Sequence, residues 1–379
     1  HHFKKLQEQT PVQFLFSMTY SCNMSCSYCY QRDFKSNEGY AKKSTIDSFI
    51  RFFDRVMSKM PSRKCYITLF GGEPLLNTTD AFTSIEYLFD KLKTVDIPLS
   101  IVTNGYDLKH YLNLLNNTLI KEVQITIDGP EKIHNERRKG SSPSFQRIIE
   151  GIEGLIFRKI PVNLRIVADK KNINYIPELT QFFISKNWLD LPPDLFKTQI
   201  GRSYNLYSNL NNQDTFTYFE LHEALVSLFE KSPVIKKLYS PGFKGIKYLI
   251  KTGELPFPLF DSCPAYKTEW AFDVKENIYG CTASCGNLSY CAGKVNGNDV
   301  LINDNLTEEW KTRSILTIEK CKSCSFALFC GGGCGVMSKE HNGGVHKPDC
   351  KDIEKIINLG VNYYFEEIKS LLGNQKSCC

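Results

Sequence analysis

Long apolar runs are missing from this sequence of 379 residues. No stretch approaches the ~18 consecutive apolar residues that a membrane-spanning helix needs, so no membrane partner is expected. The chain also lacks a recognisable secretory signal, which favours a cytoplasmic protein. The net charge of +6 is small for this length and argues against a protein that coats nucleic acid.

Cysteine, in contrast, is abundant, with 15 residues that fall mainly in two groups. Three lie between Cys22 and Cys29, and nine lie between Cys263 and Cys350. An odd count without a secretory signal makes a disulfide framework the weaker interpretation. The clustering instead favours ligands of metal ions or of iron–sulfur clusters.

Strand and helix signals alternate over residues 12–200. Repeated alternation with short loops is typical of parallel strands covered by helices. About six such units fit, which predicts an α/β fold containing a partial (β/α)6 TIM-like barrel. The predicted strands are Val12–Met18, Tyr66–Phe70, Leu99–Thr103, Val123–Ile127, Val162–Val167 and Leu195–Ile200.

Composition divides the rest of the chain. A Cys- and Gly-rich segment with little hydrophobic periodicity is expected to need metal to fold, and an amphipathic helix follows it. The predicted divisions are an N-terminal tail (1–11), the partial barrel (12–200), a bridging region (201–260), the Cys-rich domain (261–351), and a C-terminal helix and tail (352–379).

The first cysteine group has the spacing C-x3-C-x2-C, formed by Cys22, Cys26 and Cys29. Three thiolates on one loop can hold three corners of a [4Fe–4S] cube and leave one iron open. A zinc knuckle and unrelated buried thiols are the alternatives. Zinc sites usually combine two cysteine pairs, and no second pair is nearby.

Unusual loops also follow the other predicted strands, where the chemistry of such folds is found. Gly71-Gly72-Glu73-Pro74 follows one strand, and its glycines would let the backbone approach a ligand closely. Asn104-Gly105 and Asp128-Gly129 follow the next two strands. We therefore expect these loops to meet the cysteine loop at one edge of the barrel.

Over its first 200 residues the chain resembles the radical S-adenosylmethionine (SAM) enzymes. The resemblance implies that the Gly-Gly-Glu-Pro loop holds the methionine amino group of SAM, and that Tyr28 packs near its adenine. An arginine would face the SAM carboxylate, by position Arg138, although Arg137 is adjacent and either could be part of a solvated charge run. The implied SAM-contacting residues are Tyr28, Gly71, Gly72, Glu73, Pro74, Asn104, Thr126, Asp128 and Arg138.

The second cysteine group resembles the SPASM domain, which carries two auxiliary [4Fe–4S] clusters. Its pattern here is Cys321-x2-Cys324-x5-Cys330-x3-Cys334, followed by Cys350 and preceded by Cys263 and Cys281. The resemblance assigns Cys263, Cys281 and Cys334 to auxiliary cluster I, and Cys321, Cys324, Cys330 and Cys350 to auxiliary cluster II. The fourth ligand of cluster I is Cys285, which we favour, or Cys291, or is absent and leaves an open iron.

Together these resemblances imply three [4Fe–4S] clusters, SAM, and a 5′-deoxyadenosyl radical that abstracts hydrogen from a peptide. We expect an oxidative intrapeptide cross-link, thioether or carbon-based, in a ribosomally made precursor peptide. An anaerobic sulfatase maturase that forms formylglycine is an alternative, and a peptide epimerase is another. Sulfatase maturases carry aspartate and glutamine where this chain has Thr282 and Phe70, so Asp273 or Asp261 would have to replace the base.

The implied partners are a low-potential electron donor, such as a flavodoxin or ferredoxin, and a separate leader-binding protein. Two other classes of function compete with this interpretation. A ferredoxin-type electron carrier would have no use for the 190-odd residues of the barrel or for the Gly-Gly-Glu-Pro loop. A zinc-stabilised binding module would contain zinc and would not bind SAM.

Overall fold

The computed structural model describes residues 8–34, 39–203, 205–207 and 213–374. Most of the predicted N-terminal tail and the last five residues of the predicted C-terminal tail lie outside this description. The described residues form two compact units. The first unit comprises those of residues 1–167, 182–201 and 264–311, and the second those of 168–181, 202–263 and 312–379.

Twelve strands form two sheets within the described residues. A small sheet pairs β2 with β6, and the main sheet has the order β12-β11-β10-β9-β1-β3-β4-β5-β7-β8, where the numbers follow the chain. The strands are β1 (Val12–Ser17), β2 (Met24–Cys26), β3 (Cys65–Phe70), β4 (Leu99–Thr103), β5 (Ile120–Thr126), β6 (Arg138–Gly140), β7 (Val162–Ala168), β8 (Phe196–Arg202), β9 (Glu269–Asp273), β10 (Asn277–Tyr279), β11 (Gly293–Asn296) and β12 (Asp299–Ile302).

Helices connect the successive strands β1, β3, β4, β5, β7 and β8, and the pairings from β1 to β7 are parallel. This arrangement confirms the predicted partial barrel, because six neighbouring strands follow one another in chain order. None of the described helices is both long and apolar enough to cross a membrane. The helices of this part are Lys43–Met57, Thr79–Lys93, Leu112–Asn116, Glu131–Arg137, Phe145–Phe157 and Ile176–Ser185.

The Cys-rich segment adds four strands that its weak periodicity did not predict. β9 pairs in parallel with β1, on the side opposite β3, and the antiparallel strands β10, β11 and β12 extend the sheet. These strands are short, with one to three side chains per face, so no long run of alternating residues predicts them. An aromatic contact stabilises them: the rings of Phe272 and Phe52 are nearly parallel, and their centroids lie 5.7 Å apart.

The pleat of β1 separates two kinds of surface. Phe14 and Phe16 are fully buried against the helix Lys43–Met57, and Phe16 stacks on Phe49 with centroids 4.5 Å apart. Since successive side chains of a strand point to opposite faces, Gln13 and its strand neighbours project from the other side of the sheet. We call this side the inner face.

The inner face carries some polar side chains that are partly exposed, although Leu15, Ser17 and Ala271 on the same face are buried. Gln13 is partly exposed although β1 is a central strand, and its Nε2 donates to Thr68 Oγ1 at 2.8 Å. Further across the sheet, Gln199 Nε2 donates to Gln124 Oε1 at 2.8 Å, and both side chains are partly exposed. The sheet therefore has a dry aromatic side and an inner side on which some polar side chains reach solvent.

The second unit is helical, with a core around Phe243, Ile246, Ile353, Ile356 and Tyr364. The predicted C-terminal helix is two helices, because the chain turns at Tyr364 to bury its ring and its hydroxyl donates to the Pro241 carbonyl at 3.1 Å. The helices are Tyr218–Lys231, Ile246–Thr252, Glu319–Lys322, Ala327–Cys330, Gly335–Asn342, Ile353–Tyr363 and Phe365–Asn374; Asp304–Lys311 belongs to the first unit.

Replacing Phe16 with alanine tests the aromatic core. Phe16 is fully buried, so Phe16→Ala should lower the free energy of unfolding by about 3–5 kcal/mol through lost burial and a residual cavity. Phe157, whose side chain is 85% exposed, provides the matched control, and Phe157→Ala should change it by less than about 0.5 kcal/mol. Urea unfolding followed by circular dichroism measures both; equal effects would contradict the packing described.

Candidate functional site

The cysteines of the C-x3-C-x2-C motif lie in the loop that follows β1. Cys26 belongs to β2, and the antiparallel pairing with β6 places it opposite Arg138. Cys29 N donates to the Cys26 carbonyl at 3.2 Å, and Asn104 Nδ2 donates to Cys22 Sγ at 3.8 Å. All three thiols are partly exposed, so the loop can present its sulfurs to an incoming iron–sulfur cluster.

Two glycines join this loop to the one that follows β3. Gly72 N donates to the Thr19 carbonyl, and Glu73 N donates to the Ser21 carbonyl, both at 2.9 Å. A Cβ on Gly72 would lie 2.1 Å from Ser21 O, and one on Gly71, whose φ is +135°, would lie 2.4 Å from Thr19 O. We expected the glycines to make room for a ligand; in the structure they make room for the backbone of the cysteine loop.

Glu73 is almost completely buried beneath this junction. Its carboxylate accepts hydrogen bonds from Thr103 Oγ1 at 2.6 Å, from Asn104 N at 2.6 Å and from Leu75 N at 2.8 Å. Burial nevertheless raises the pKa of Glu73 to about 7. A carboxylate has about four acceptor positions, so one remains for a further donor such as an ammonium group.

Asp128, which follows β5, is the centre of a buried charge network. Its Oδ1 accepts from Val167 N at 2.9 Å, and its Oδ2 accepts a short hydrogen bond from the Tyr28 hydroxyl. Arg138 Nη1 donates to that hydroxyl at 2.5 Å, and the Arg137 guanidinium lies 5.1 Å from the centre of the Tyr28 ring. Burial raises the pKa of Tyr28, so its hydroxyl keeps the proton it donates.

The two arginines outnumber the carboxylate that they share. Arg137 Nε and Arg138 Nη1 each lie 3.9 Å from Asp128 Oδ2, and both side chains are at least nine-tenths buried. The solvated charge run considered for them is therefore wrong. Arg138 Nε is buried without a hydrogen-bond partner among the described residues. A buried guanidinium with an unused donor fits an anionic group such as the SAM carboxylate.

Asp273, at the end of β9, uses both carboxylate oxygens in hydrogen bonds that stabilise the turn after this strand. Its Oδ2 accepts from the hydroxyls of Tyr20 at 2.8 Å and Tyr279 at 3.0 Å, and its Oδ1 accepts from two backbone amides. The side chain is completely buried. Asp273 is thus a structural residue, and the expectation that it could replace a substrate base is not supported by its surroundings.

The hairpin that follows β10 gathers three thiols in the first unit. Burial chiefly, together with nearby anions that include Cys281 and Cys291, raises the pKa of Cys285. The Cys285 sulfur lies 3.8 Å from the Tyr20 hydroxyl. The Cys291 thiol instead donates to a backbone carbonyl two residues further on, at 3.1 Å. The choice of Cys285 over Cys291 as the cluster ligand stays a prediction.

Four other cysteines come together in the second unit. Burial and the neighbouring thiolates raise the pKa of Cys321 and of Cys350, and these neighbours are members of the same group. Thiols that repel one another as anions suit a cluster whose iron ions neutralise them. The group consists of Cys321, Cys324, Cys330 and Cys350, the set that the sequence assigns to auxiliary cluster II.

A buried cation fixes the backbone around this group. Arg313 is completely buried and donates to Asp261 Oδ1 at 2.7 Å, to the Gly332 carbonyl at 2.7 Å and to the Val345 carbonyl at 2.9 Å. Asp261 Oδ1 also accepts from Cys263 N at 3.1 Å. Arg313 therefore ties together three cysteine-bearing segments, and Asp261 serves as its counter-ion rather than as a free base.

Within the described residues, no group of three or more His, Cys, Asp or Glu side chains is arranged to bind a single metal ion. A cubane cluster differs because each thiolate binds a separate iron at a corner. The donor sets fit clusters on this ground, because they consist of sulfur alone. Cys263 and Cys334 belong to the second unit, and Cys281 and Cys285 to the first.

Comparison with known proteins agrees with this chemistry. Residues 16–183 match the model of the Radical SAM superfamily. The cysteine-type anaerobic sulfatase-maturating enzyme of Clostridium novyi (strain NT) is 25% identical over 343 residues, which cover 85% of this chain and 87% of that protein.

Solved structures share the fold. The structure of anSMEcpe with bound AdoMet superposes with a TM-score of 0.68 and 19% identity, covering 96% of both chains. Streptococcus suis SuiB bound to its precursor peptide SuiA superposes with a TM-score of 0.64 and 17% identity, covering 93% of this chain and 78% of SuiB.

The fold and the cysteine loop thus define an enzyme that uses an iron–sulfur cluster and SAM. Residues 16–183 of the chain form a radical SAM domain.

Three site residues escaped the sequence analysis. Tyr20 binds Asp273 and approaches Cys285; Tyr30, next to Cys29, donates through its hydroxyl to the Thr282 carbonyl at 3.2 Å. Glu269 accepts from Thr282 N at 3.0 Å. Tyrosines beside a cysteine motif gave a weak signal, but Glu269 lies in a strand that was not predicted.

Removing the buried cation tests the order of the second unit. Arg313→Met leaves Asp261 buried without its counter-ion, so the free energy of unfolding should fall by about 3–5 kcal/mol. Lys322 pairs with Glu319 at 2.6 Å on the surface, and Lys322→Met should cost no more than about 1 kcal/mol. Chemical unfolding of the anaerobically reconstituted protein measures both, and a small loss for Arg313→Met would contradict the role assigned to it.

Proposed function

We propose that this chain is a peptide maturase that installs an oxidative cross-link, thioether or carbon-based, in a ribosomally made precursor peptide. When bound, the clusters and SAM supply a 5′-deoxyadenosyl radical that removes a hydrogen atom from an unactivated C–H bond. The observation that carries the proposal is the set of partly exposed polar side chains on the inner face of a sheet whose strand ends bear the cysteine loop, Glu73 and Asp128. A peptide in extended form would offer both its backbone and its side chains to such a surface.

The proposed roles of the residues follow from their chemistry. The carboxylate of Glu73 binds the SAM ammonium through its remaining acceptor position, and Arg138 binds the SAM carboxylate through its unused Nε–H. Asp128 keeps Arg138 and Tyr28 in place. Gly71, Gly72, Pro74, Asn104 and Thr126 shape the pocket, and Cys22, Cys26 and Cys29 hold the SAM cluster.

We further propose two auxiliary clusters, which make three [4Fe–4S] clusters in total. Cys263, Cys281, Cys334 and Cys285 would hold auxiliary cluster I. Cys321, Cys324, Cys330 and Cys350 would hold auxiliary cluster II, and their mutual repulsion as thiolates supports this assignment. A second electron leaves the substrate in an oxidative cross-link, and these clusters would accept it.

Formation of formylglycine is the second candidate, favoured by the similarity to the sulfatase-maturating enzyme along 85% of this chain. Against it, Phe70 and Thr282 stand where the resemblance predicts glutamine and aspartate. Phe70 is buried and cannot replace the hydrogen bonds of an amide. Epimerisation is less favoured, because it returns a hydrogen atom and needs no electron acceptor.

The proposed partners are the precursor peptide, a low-potential donor such as a flavodoxin or ferredoxin, and a separate protein that binds the leader of the peptide. A cytoplasmic location would suit all three, because reduced thiols and low-potential electrons are available there. Activity that depends on a reduced flavodoxin or ferredoxin, and increases when the leader-binding protein is added, would support these assignments.

Mass spectrometry of peptides incubated anaerobically with the enzyme, SAM and a strong reductant in deuterated water tests the reaction. Loss of two hydrogens from an otherwise intact peptide, with release of 5′-deoxyadenosine, is the expected result. Deuterium uptake without that loss would instead mean epimerisation. Conversion of cysteine to an aldehyde in a sulfatase-derived peptide would establish the second candidate.

The pH dependence of SAM binding tests the role of Glu73. Burial raises the pKa of Glu73 to about 7, so below pH 7 the carboxyl must lose a proton before it can pair with the ammonium. The affinity should therefore rise by about tenfold per pH unit below pH 7 and level off above it. Calorimetry on the reconstituted enzyme measures this slope.

Two variants control that experiment. Glu73→Gln should bind SAM weakly and without the slope. Glu269→Gln removes another buried carboxyl whose pKa is about 7, and it should keep the slope of the unmodified enzyme. A slope that persists in Glu73→Gln would exclude Glu73 as the group that titrates.

A further inference from the structure

We propose that Glu269 is the base that takes up the proton released when the peptide substrate is oxidised. This inference rests on the proposed function, since it concerns the second, oxidative half of that reaction. It adds a catalytic residue that lies in none of the sequence motifs. Three observations carry it: the face on which the residue lies, the two loops it is tied to, and the absence of a counter-ion.

Glu269 lies on the open side of the sheet. The register of β9 places it beside Gln13 of β1, and the same row continues to Tyr66 of β3. These side chains belong to the inner face, opposite the buried phenylalanines, and all three are partly exposed. Burial and the nearby Glu269 and Glu122 carboxylates raise the pKa of Tyr66.

A short chain of hydrogen bonds connects Glu269 to both cysteine loops of the first unit. Its Oε1 accepts from Thr282 N at 3.0 Å, and Thr282 directly follows Cys281. The Thr282 carbonyl accepts from the Tyr30 hydroxyl at 3.2 Å, and Tyr30 directly follows Cys29. Thr282 therefore links the Glu269 carboxylate to the loop that carries Cys29. Thr282 also follows Cys281, a proposed ligand of auxiliary cluster I.

The electrostatic surroundings leave Glu269 poised to exchange a proton. No described cation pairs with it, and the Thr282 amide is its sole described hydrogen-bond donor. Burial accordingly raises its pKa to about 7. The titratable group that faces it is Tyr66, and beyond that ring lies Lys121, whose ammonium is 3.4 Å from the ring centre. A base with a pKa near the working pH is well matched to proton transfer.

Glu122 shows what a structural carboxylate looks like in the same sheet. It lies on β5, where its Oε2 pairs with Lys197 Nζ at 2.5 Å and its Oε1 accepts from Asn163 Nδ2 at 3.1 Å. Both oxygens of Glu122 are thus satisfied, and one of them by a cation. Glu269 has no described cation as a partner, and only one of its oxygens accepts a described hydrogen bond. These surroundings are typical of a functional carboxylate more than of a structural one.

The proposed step balances in atoms and electrons. The first half of the reaction removes one hydrogen atom from a substrate carbon and gives 5′-deoxyadenosine. In the second half, the carbon radical forms a bond to a neighbouring S–H or C–H group of the peptide. That group loses its hydrogen as a proton to the Glu269 carboxylate, while one electron passes to an oxidised auxiliary [4Fe–4S] cluster.

Replacing the carboxylate separates the two halves of the reaction. With a peptide deuterated at the reacting carbon, Glu269→Gln should still transfer deuterium to 5′-deoxyadenosine, at a rate within about threefold of the unmodified enzyme. Formation of the cross-link should fall by about 100-fold, as expected for a lost general base. Glu269→Asp should restore part of it, and Glu122→Gln should retain cross-linking within about threefold.

The pH profile separates a base from a positioning residue. At saturating SAM, where the pH dependence of SAM binding through Glu73 no longer limits the rate, cross-linking by the unmodified enzyme should rise with pH through about 7, because Glu269 must be deprotonated to accept the proton. Glu269→Gln should lose this rise. An unchanged pH profile in Glu269→Gln, or equal losses of deuterium transfer and cross-linking, would overturn the proposal. Iron content and SAM affinity equal to those of the unmodified protein show that the variant is folded.

Infrared spectroscopy measures the protonation of the Glu269 carboxyl without turnover. The difference spectrum between pH 5 and pH 9 should contain a protonated-carboxyl band that disappears in Glu269→Gln and remains in Glu122→Gln. A spectrum unaffected by Glu269→Gln would contradict a titrating Glu269. Failure of the proposed function is distinct, because the unmodified enzyme would then form 5′-deoxyadenosine without any cross-link.

Discussion

The position of β1 between β3 and β9 is the constraint on which the first unit depends. Because both pairings are parallel, the carboxyl ends of the three strands lie at one edge of the sheet. The cysteine loop, the Gly-Gly-Glu-Pro loop and Asp273 follow from those ends. Backbone hydrogen bonds from Gly72 and Glu73 to the cysteine loop then fix the spacing of the first two.

Buried charge provides order in both units. Asp128 with two arginines in the first unit, and Arg313 with Asp261 in the second, are each costly to bury and are each well hydrogen-bonded. The two networks differ in their balance. The Arg313 pair is neutral and satisfied, which suits a structural role. In the Asp128 network, Arg138 Nε has no hydrogen-bond partner among the described residues, which suits binding of an anion.

The sequence predicted the radical SAM core well, because each motif there coincides with the end of a periodic strand. The strands near Val12, Leu99 and Val162 match their predicted positions within a residue or two. β9 and β10 were missed, since short strands stabilised by contacts with Phe52 leave little periodicity of their own. Glu269 was missed for the same reason: nothing in its local sequence distinguishes a titrating carboxylate from a solvated one.

The iron content of the anaerobically reconstituted protein tests the central claim, that three groups of thiols each hold a cubane cluster. The account predicts about twelve irons and about twelve sulfides per chain, and about four fewer of each when Cys321 and Cys324 are both replaced by alanine. A content of about four irons per chain, unaffected by that double replacement, would contradict it.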